Sequence, residues 1–236
     1  MSLPIHDIVG IGFGPSNLAL AIVLEEQGYS GSVVFLEKAA RLGWYPGMMP
    51  PGSDIRNNPL RDLVTPRNPR SRYSFVNYLH ETGRLFEFLN LPAHYPLRKD
   101  YAAYAAWAAR QFDRLVRYEH AVTGLGVETA ADGEPIWRVR IAGRPDILGR
   151  SLVVGPGRTP RIPEVFAPHL GEQVFHLVDY LPRLEARDEP RSLAVIGSSQ
   201  SAVELLLDLS SRYPRARTLA IHRTFGFRLK DTNPFS

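Results

Sequence analysis

Cysteine is absent from all 236 residues. That excludes a disulfide framework, a thiolate metal site, a cysteine nucleophile and any CxxC redox pair within the chain. It agrees with a reducing compartment, and the cytoplasm is the expected location. Lysine is scarce: of 28 basic residues only Lys38, Lys99 and Lys230 are lysine, and the rest are arginine. Arginine suits bidentate binding of phosphate and carboxylate. Its dispersal, with a formal net charge of +4, gives no basic tail or stripe, so no nucleic-acid partner is expected. Long apolar runs are missing as well. The longest aliphatic run, residues 18–24, ends at Glu25-Glu26 after seven residues, whereas a membrane span needs about twenty. No basic segment followed by an apolar run opens the chain, so no signal peptide is expected. The seven histidines show no metal-ligand spacing, and no metal is expected.

The periodicity that is present reads as α/β. Residues 5–11 (IHDIVGI) form a buried strand, then a glycine turn, an apolar helix over 15–27 and a second strand over 32–37. Residues 39–70 hold nine prolines or glycines and read as a long, ordered, functional loop. Helices are expected over 71–82 and 100–112. The second carries a Tyr101, Tyr104, Trp107 stripe that reads as core. Segments 115–127, 136–141 and 151–155 read as a small meander returning to the main sheet, and GPGRTPRIP at 155–163 marks a boundary. A second unit follows, with a strand over 192–196, a helix over 200–212 and a strand over 217–222. The expected architecture is two Rossmann-like dinucleotide-binding domains.

Gly10, Gly12 and Gly14, followed by Pro15, Ser16 and Asn17, sit between a strand and a helix. Glycines there allow a tight turn and close approach to a pyrophosphate, with free N–H groups and the positive dipole end of the helix behind it. Glu37 ends the next strand, 25 residues after Gly12, where an acid can bond a ribose hydroxyl and would repel a 2′-phosphate. Pro15 stands where a third glycine of the usual spacing would fall. The second turn, Gly197, Ser198, Ser199, Gln200 and Ser201, carries a weaker form of the pattern; the strand beyond it ends at His222-Arg223. Arginine where the first unit has glutamate favours the 2′-phosphate of NADPH. The order is therefore FAD first and NADPH second.

At this point the chain resembles the flavin-dependent lysine and ornithine N-monooxygenases of siderophore biosynthesis. The resemblance rests on GIGFGPSNL at 10–18, FLEK at 35–38, WYPGM at 44–48 and LRDLVTPRNPRSRYSFVNYLHETGRL at 60–85. YPLRKDYAAYAAWAA at 95–109, GSSQSAVE at 197–204 and DTNPF at 231–235 extend it. It implies an FAD-binding domain over 1–165 and an incomplete NADPH-binding domain over 166–236. Gly10 to Asn17, Glu37 and Lys38 would hold FAD; Trp44, Tyr45 and Met48 would lie beside the isoalloxazine; Val122 would meet the adenine through its backbone. Gly197 to Ser201 and Arg223 would bind NADPH. Arg61 would pair with the substrate carboxylate, and Arg56 would lie near flavin and substrate. The implied reaction is N-hydroxylation of the side-chain amine of ornithine, lysine or a related diamino acid, with molecular oxygen as co-substrate and a flavin C4a-hydroperoxide as oxygen donor. No catalytic side chain is required, since the flavin carries the chemistry. By analogy a homo-oligomer is admitted.

The chain departs from the family pattern at Ile55-Arg56-Asn57-Asn58-Pro59-Leu60-Arg61, where Met-Gln-x-Ser-Phe-Leu-Lys is usual. It also stops at Ser236 where family members continue, so it is expected to be a fragment or a truncation. Two rival readings stay open: another class of two-dinucleotide flavoprotein monooxygenase, or a truncated, inactive flavin-binding remnant.

Overall fold

The structure is a computed structural model and describes residues 3–44, 46–92, 95–185 and 188–227. The chain divides into two compact units, residues 1–44 with 54–159, and residues 45–53 with 160–236. The sequence suggests a boundary at 165/166; the contacts divide the chain at 159/160, and residues 45–53 of the proline-rich loop group with the second unit.

The first unit is built on β1 (Ile5–Ile11), α1 (Pro15–Glu26) and β2 (Val33–Leu36). Buried Leu18, Ala21 and Ile22 recur at helical spacing, so α1 lays one face on the sheet beside Phe13 and Phe35. The larger of these, such as Leu18 and Ile22, contribute roughly 1.5–3 kcal/mol each. Gly28, with φ +66°, ends the helix, and the Tyr29 amide reaches back to the Leu24 carbonyl at 2.9 Å.

α2 (Phe75–Glu81), α3 (Leu85–Leu89) and α4 (Arg98–Arg110) follow. α2 starts four residues later than the sequence suggests, because Ser74 is its N-cap and accepts from the Asn77 amide at 3.1 Å. The aromatic stripe of α4 is core. Tyr104 is fully buried among Phe75, Tyr78 and Leu79, with Tyr101 and Trp107 packed alongside. Burial, then the nearby Asp62 charge, pushes the Tyr101 hydroxyl up to about 12. The Tyr104 hydroxyl donates to the Tyr73 carbonyl at 2.6 Å and accepts from the Leu63 amide at 3.4 Å. Tyr104→Phe should therefore leave two backbone groups unmet and cost about 1–3 kcal/mol. Urea unfolding checks this, and a loss below about 0.5 kcal/mol would contradict it.

The expected strand over 115–127 is two strands, β3 (Val116–Arg117) and β4 (Val122–Thr129). Between them Glu119 adopts φ 57°, and the Glu119 and His120 amides bond the carbonyls of Ala39 and Glu37. This corner lets the chain leave the parallel layer. β5 (Pro135–Ile141) and the long β6 (Arg144–Val154) complete a six-stranded sheet of order β3-β2-β1-β6-β5-β4. β3, β2, β1 and β6 run parallel; β4 and β5 run antiparallel as the meander.

The second unit holds α5 (Tyr180–Glu185), β7 (Ser192–Ile196), α6 (Gln200–Arg212) and β8 (Arg217–Ile221). β7 and β8 pair in parallel, with α6 as their crossover. Val195, Ala202, Leu205 and Leu209 pack with Tyr180, Leu184 and Met48. Residues 45–53 join this unit at close quarters: a Cβ on Gly47 would fall 1.7 Å from the Val178 carbonyl oxygen. Among the described residues no helix is long and apolar enough to cross a membrane.

Candidate functional site: two strand–turn–helix nucleotide seats

In the first turn each glycine has its own physical reason. Gly10 lies on β1 under Phe35, where an added Cβ would fall 2.2 Å from the ring. Gly12 has φ +81°, and a Cβ there would fall 2.4 Å from the Gly155 carbonyl oxygen. Gly14 is the N-cap of α1 and faces open space, with nothing within 4 Å of where a Cβ would stand. Two glycines thus let the backbone fold tightly, and the third keeps the helix N-terminus clear. Pro15 opens the helix, a position at which its missing N–H costs nothing. Ser16 is exposed on the first turn, in contrast to buried Asn17.

Asn17 does something other than face outward. It is buried, and its Nδ2 donates to the carbonyls of Gly12 at 2.6 Å and Ile11 at 3.2 Å. Its role here is to hold the turn. Gly155, delivered alongside by β6, closes the same corner: its amide donates to the Ile11 carbonyl at 2.8 Å, and a Cβ on it would meet Asn17 at 2.9 Å. In the sequence Gly155 reads only as boundary turn chemistry.

Glu37 follows β2 and is the group that the turn converges on. Its Oε2 accepts from the Phe13 amide at 2.8 Å and its Oε1 from the Ala39 amide at 2.8 Å. Each carboxylate oxygen keeps a second lone pair for a further donor. Lys38 beside it is exposed. Val122 opens β4 and packs, partly buried, against an apolar cluster that includes Val9, Leu36 and Val139.

Trp44 stacks at a tilt on Tyr101, with ring centroids 5.3 Å apart. Tyr45 lies outside the described residues, as does the DTNPF segment. Met48 is buried in the core of the second unit. Arg56 is exposed in the left-handed region with φ 51°; its amide donates to Asp54 Oδ1 at 3.0 Å, and its Nε lies 4.0 Å from the same oxygen. Arg61 is exposed, and its amide donates to the Asn58 carbonyl at 2.8 Å.

Asp62, next in the chain, lies in the 60–85 block but is not among the site residues expected from the sequence. Its carboxylate accepts from the Val64 amide at 2.9 Å, the Thr65 amide at 2.6 Å, the Thr65 hydroxyl at 2.8 Å and the Phe75 amide at 2.6 Å. One side chain therefore folds the loop after Arg61 and anchors the start of α2. The rest of the 60–85 block is similarly wired. Glu25 on α1 takes hydrogen bonds from Tyr73, Arg72 and Arg114, and Arg67 pairs with Glu26. Burial pushes the Glu25 carboxyl up, but these bonds outweigh it and leave it below its ordinary value. Only the D-x-x-T spacing at 62–65 could have signalled the Asp62 turn.

The second turn is more open. Gly197 has φ 137°, its amide donates to the Ile221 carbonyl at 2.9 Å, and nothing lies within 4 Å of a Cβ position. Ser199 is the N-cap of α6 but makes no capping bond through its side chain. Ser198 and Ser201 are half-buried, and Gln200 Nε2 donates to Glu204 Oε1 at 3.0 Å. Arg223 is two residues past β8. Among the described residues no cluster of His, Cys, Asp and Glu could hold a metal ion.

Fold and site thus define an α/β protein with two dinucleotide-type strand–turn–helix units. The profile of the L-lysine 6-monooxygenase/L-ornithine 5-monooxygenase family matches residues 4–236, and the chain belongs to that family. It is 40% identical to an L-ornithine N(5)-monooxygenase of Burkholderia cepacia over 98% of this chain and 55% of the relative. Its structure resembles the ornithine hydroxylase of Pseudomonas aeruginosa, with TM-score 0.88 and 38% identity over 98% of this chain and 58% of that one. It resembles equally the ornithine N-hydroxylase of Kutzneria sp. 744 solved with reduced FAD, NADP+ and L-ornithine, with TM-score 0.88 and 34% identity over 98% of this chain and 56% of that one. The chain spans about half the length of the curated relatives it matches.

Proposed function

We propose that this chain forms the FAD seat and part of the NADPH seat of a flavin-dependent N-monooxygenase acting on the side-chain amine of ornithine, lysine or a related diamino acid. The observation that carries the reading is the first turn. Gly14 leaves the N-terminus of α1 clear, and Glu37, already tied to that turn through Phe13, keeps lone pairs for ribose hydroxyls. A pyrophosphate placed there would meet free N–H groups and the positive end of the α1 dipole. The open Gly197 turn, with Arg223 beyond β8, suits a nucleotide bearing a 2′-phosphate. Bound FAD would supply the redox chemistry, taking reducing equivalents from NADPH and passing one atom of molecular oxygen to the amine.

The chain's own residues would bind and orient. Trp44, braced by Tyr101, is offered as a wall for the ring system. Met48 and Asn17 are left out, because one packs a core and the other holds the turn. Arg61 would hold the amino-acid carboxylate as a charge-assisted pair, on a loop that Asp62 makes rigid. Arg56 adds a second positive charge nearby in sequence, partly offset by Asp54.

The test is amine-stimulated NADPH oxidation and hydroxylamine formation by the protein at its relatives' length. Ornithine is tried first, since the relatives from Burkholderia cepacia and Pseudomonas aeruginosa are named for it. Arg61→Ala should raise KM for the amine about 10- to 100-fold, the range of one lost charge-assisted bond, with FAD content unchanged. Loss of flavin with KM intact would contradict the assignment.

A further inference from the structure

A cavity of about 160 Å³ lies in the first unit, away from its glycine turn at residues 10–14. Its lining includes His6 from β1, Arg117 and His120 from the β3–β4 corner, and Arg144, Asp146 and Ile147 from the start of β6. Its volume is close to that of an engineered cavity of ~150 Å³ that admits benzene, so a small polyatomic ion fits. His6 and Gly12 are six positions apart along extended backbone, on the order of 20 Å. None of the lining side chains belongs to the set assigned above to FAD, NADPH or amine.

The charges in this cavity are unbalanced. Asp146 is the acid in the lining, and its Oδ2 already accepts from Arg138 Nη1 at 3.0 Å. Arg117 and Arg144 have no ion pair or side-chain hydrogen bond among the described residues. His6 also lines the cavity, and its Nε2 is buried with no partner among the described residues. His120 Nδ1 lies 2.6 Å from the Tyr118 carbonyl, which can only accept, so Nδ1 carries the hydrogen. Two arginines and two histidines from three chain segments thus line one cavity, and its one acid, Asp146, is already paired with Arg138.

We propose that this cavity is a binding site for a small dianionic oxyanion, inorganic phosphate or the head of a phosphate monoester. A tetrahedral dianion offers acceptor oxygens in several directions, matching donors that come from β1, the β3–β4 corner and β6 at once. A planar carboxylate would satisfy one arginine and leave the others unmet. Binding should tighten as His6 takes up a proton. The groups facing it are Arg117, Arg144 and Asp146, with Asp7 beside it in the chain. Burial, and then the Arg117 charge, hold His6 below its ordinary value, so the bound anion is what would favour its charged form.

The experiment is calorimetric titration of the full-length, FAD-saturated protein with inorganic phosphate and with glycerol phosphate, at constant ionic strength. Sulfate, which stays dianionic, serves for the comparison of pH 6 with pH 8. One saturable site is expected, with sulfate at least threefold tighter at pH 6. The Arg117→Gln/Arg144→Gln double variant should bind phosphate at least tenfold more weakly, with its FAD content and far-ultraviolet circular dichroism unchanged. Glycerol phosphate binding as well as phosphate would mark the monoester as the source; phosphate alone binding would mark the free ion. Equal phosphate affinity in wild type and double variant would overturn the proposal. So would loss of binding in Arg223→Gln alone, which would put the ion at the second nucleotide turn, or succinate binding more tightly than phosphate.

Discussion

Gly12→Ala should leave the protein without flavin and lower its Tm by on the order of 10 °C. Two costs add at this position. A residue with a side chain held at φ +81° costs about 1–2 kcal/mol relative to glycine. The new methyl would also fall 2.4 Å from the Gly155 carbonyl oxygen, a backbone atom that two elements fix in place. Overpacking of that kind adds about 1–3 kcal/mol. Together they give roughly 2–5 kcal/mol, and each kcal/mol lowers Tm by about 2–4 °C in a chain of this size. The turn can relieve the clash by moving away from β6, which draws Asn17 off the Ile11 and Gly12 carbonyls and tilts the N-terminus of α1. FAD should then be lost even where the protein stays folded. Gly14→Ala is the matched control: its added carbon meets nothing within 4 Å of protein, so stability should change little while FAD affinity falls. Thermal unfolding and absorbance at the flavin band read both outcomes. A yellow Gly12→Ala protein of unchanged Tm would contradict the geometry.

Asp62→Ala should be nearly as damaging to stability, though it touches no proposed ligand. Four donors converge on one carboxylate, and two of the three amides among them belong to the loop that carries Arg61. Hydrogen bonds to a charged acceptor contribute about 1.5–3 kcal/mol each, but the freed loop amides can turn to water. A net loss of about 3 kcal/mol is expected, mainly from the Phe75 amide at the start of α2 and from the uncoupled Thr65 turn. Asp62→Asn keeps one acceptor oxygen and should lose about half as much. In the full-length protein the same change should raise KM for the amine, because Arg61 loses its rigid base. Urea unfolding and amine titration test the two halves separately, and a stability loss below about 1 kcal/mol would show that the block is held by its apolar contacts alone.

These two positions also show what the sequence can and cannot disclose. Gly12 is legible because a strand–glycine–helix spacing has a local cause: the turn must be tight and the helix end clear. β1, α1, β2, β7, α6 and β8 are legible for the same reason, since their periods of 2 and 3.6 are written in consecutive residues. Asp62 is not legible as an anchor. Its partner at Phe75 is thirteen positions away, and nothing periodic connects them. Gly155 reads as punctuation, because its contact with Gly12 exists only once β6 pairs with β1. Asn17 looks like a ligand group from its place in the motif, yet its amide turns back on the loop carbonyls. The break between β3 and β4 depends on Glu119 at φ 57°, a conformation that glutamate does not advertise. The placing of residues 45–53 with the second unit depends on the close approach of Gly47 to Val178, again a contact between segments far apart in sequence.

The most direct test of the account is an FAD titration of the full-length protein and its Glu37→Ala variant, followed by quenching of flavin fluorescence. One FAD per chain is expected in the wild type. The variant loses both the ribose acceptor and the tie to the Phe13 amide, so its Kd should rise at least tenfold, or about 1.4 kcal/mol. Equal affinity in the two proteins, or no uptake of FAD by either, would contradict the claim that this turn and this acid form the flavin seat.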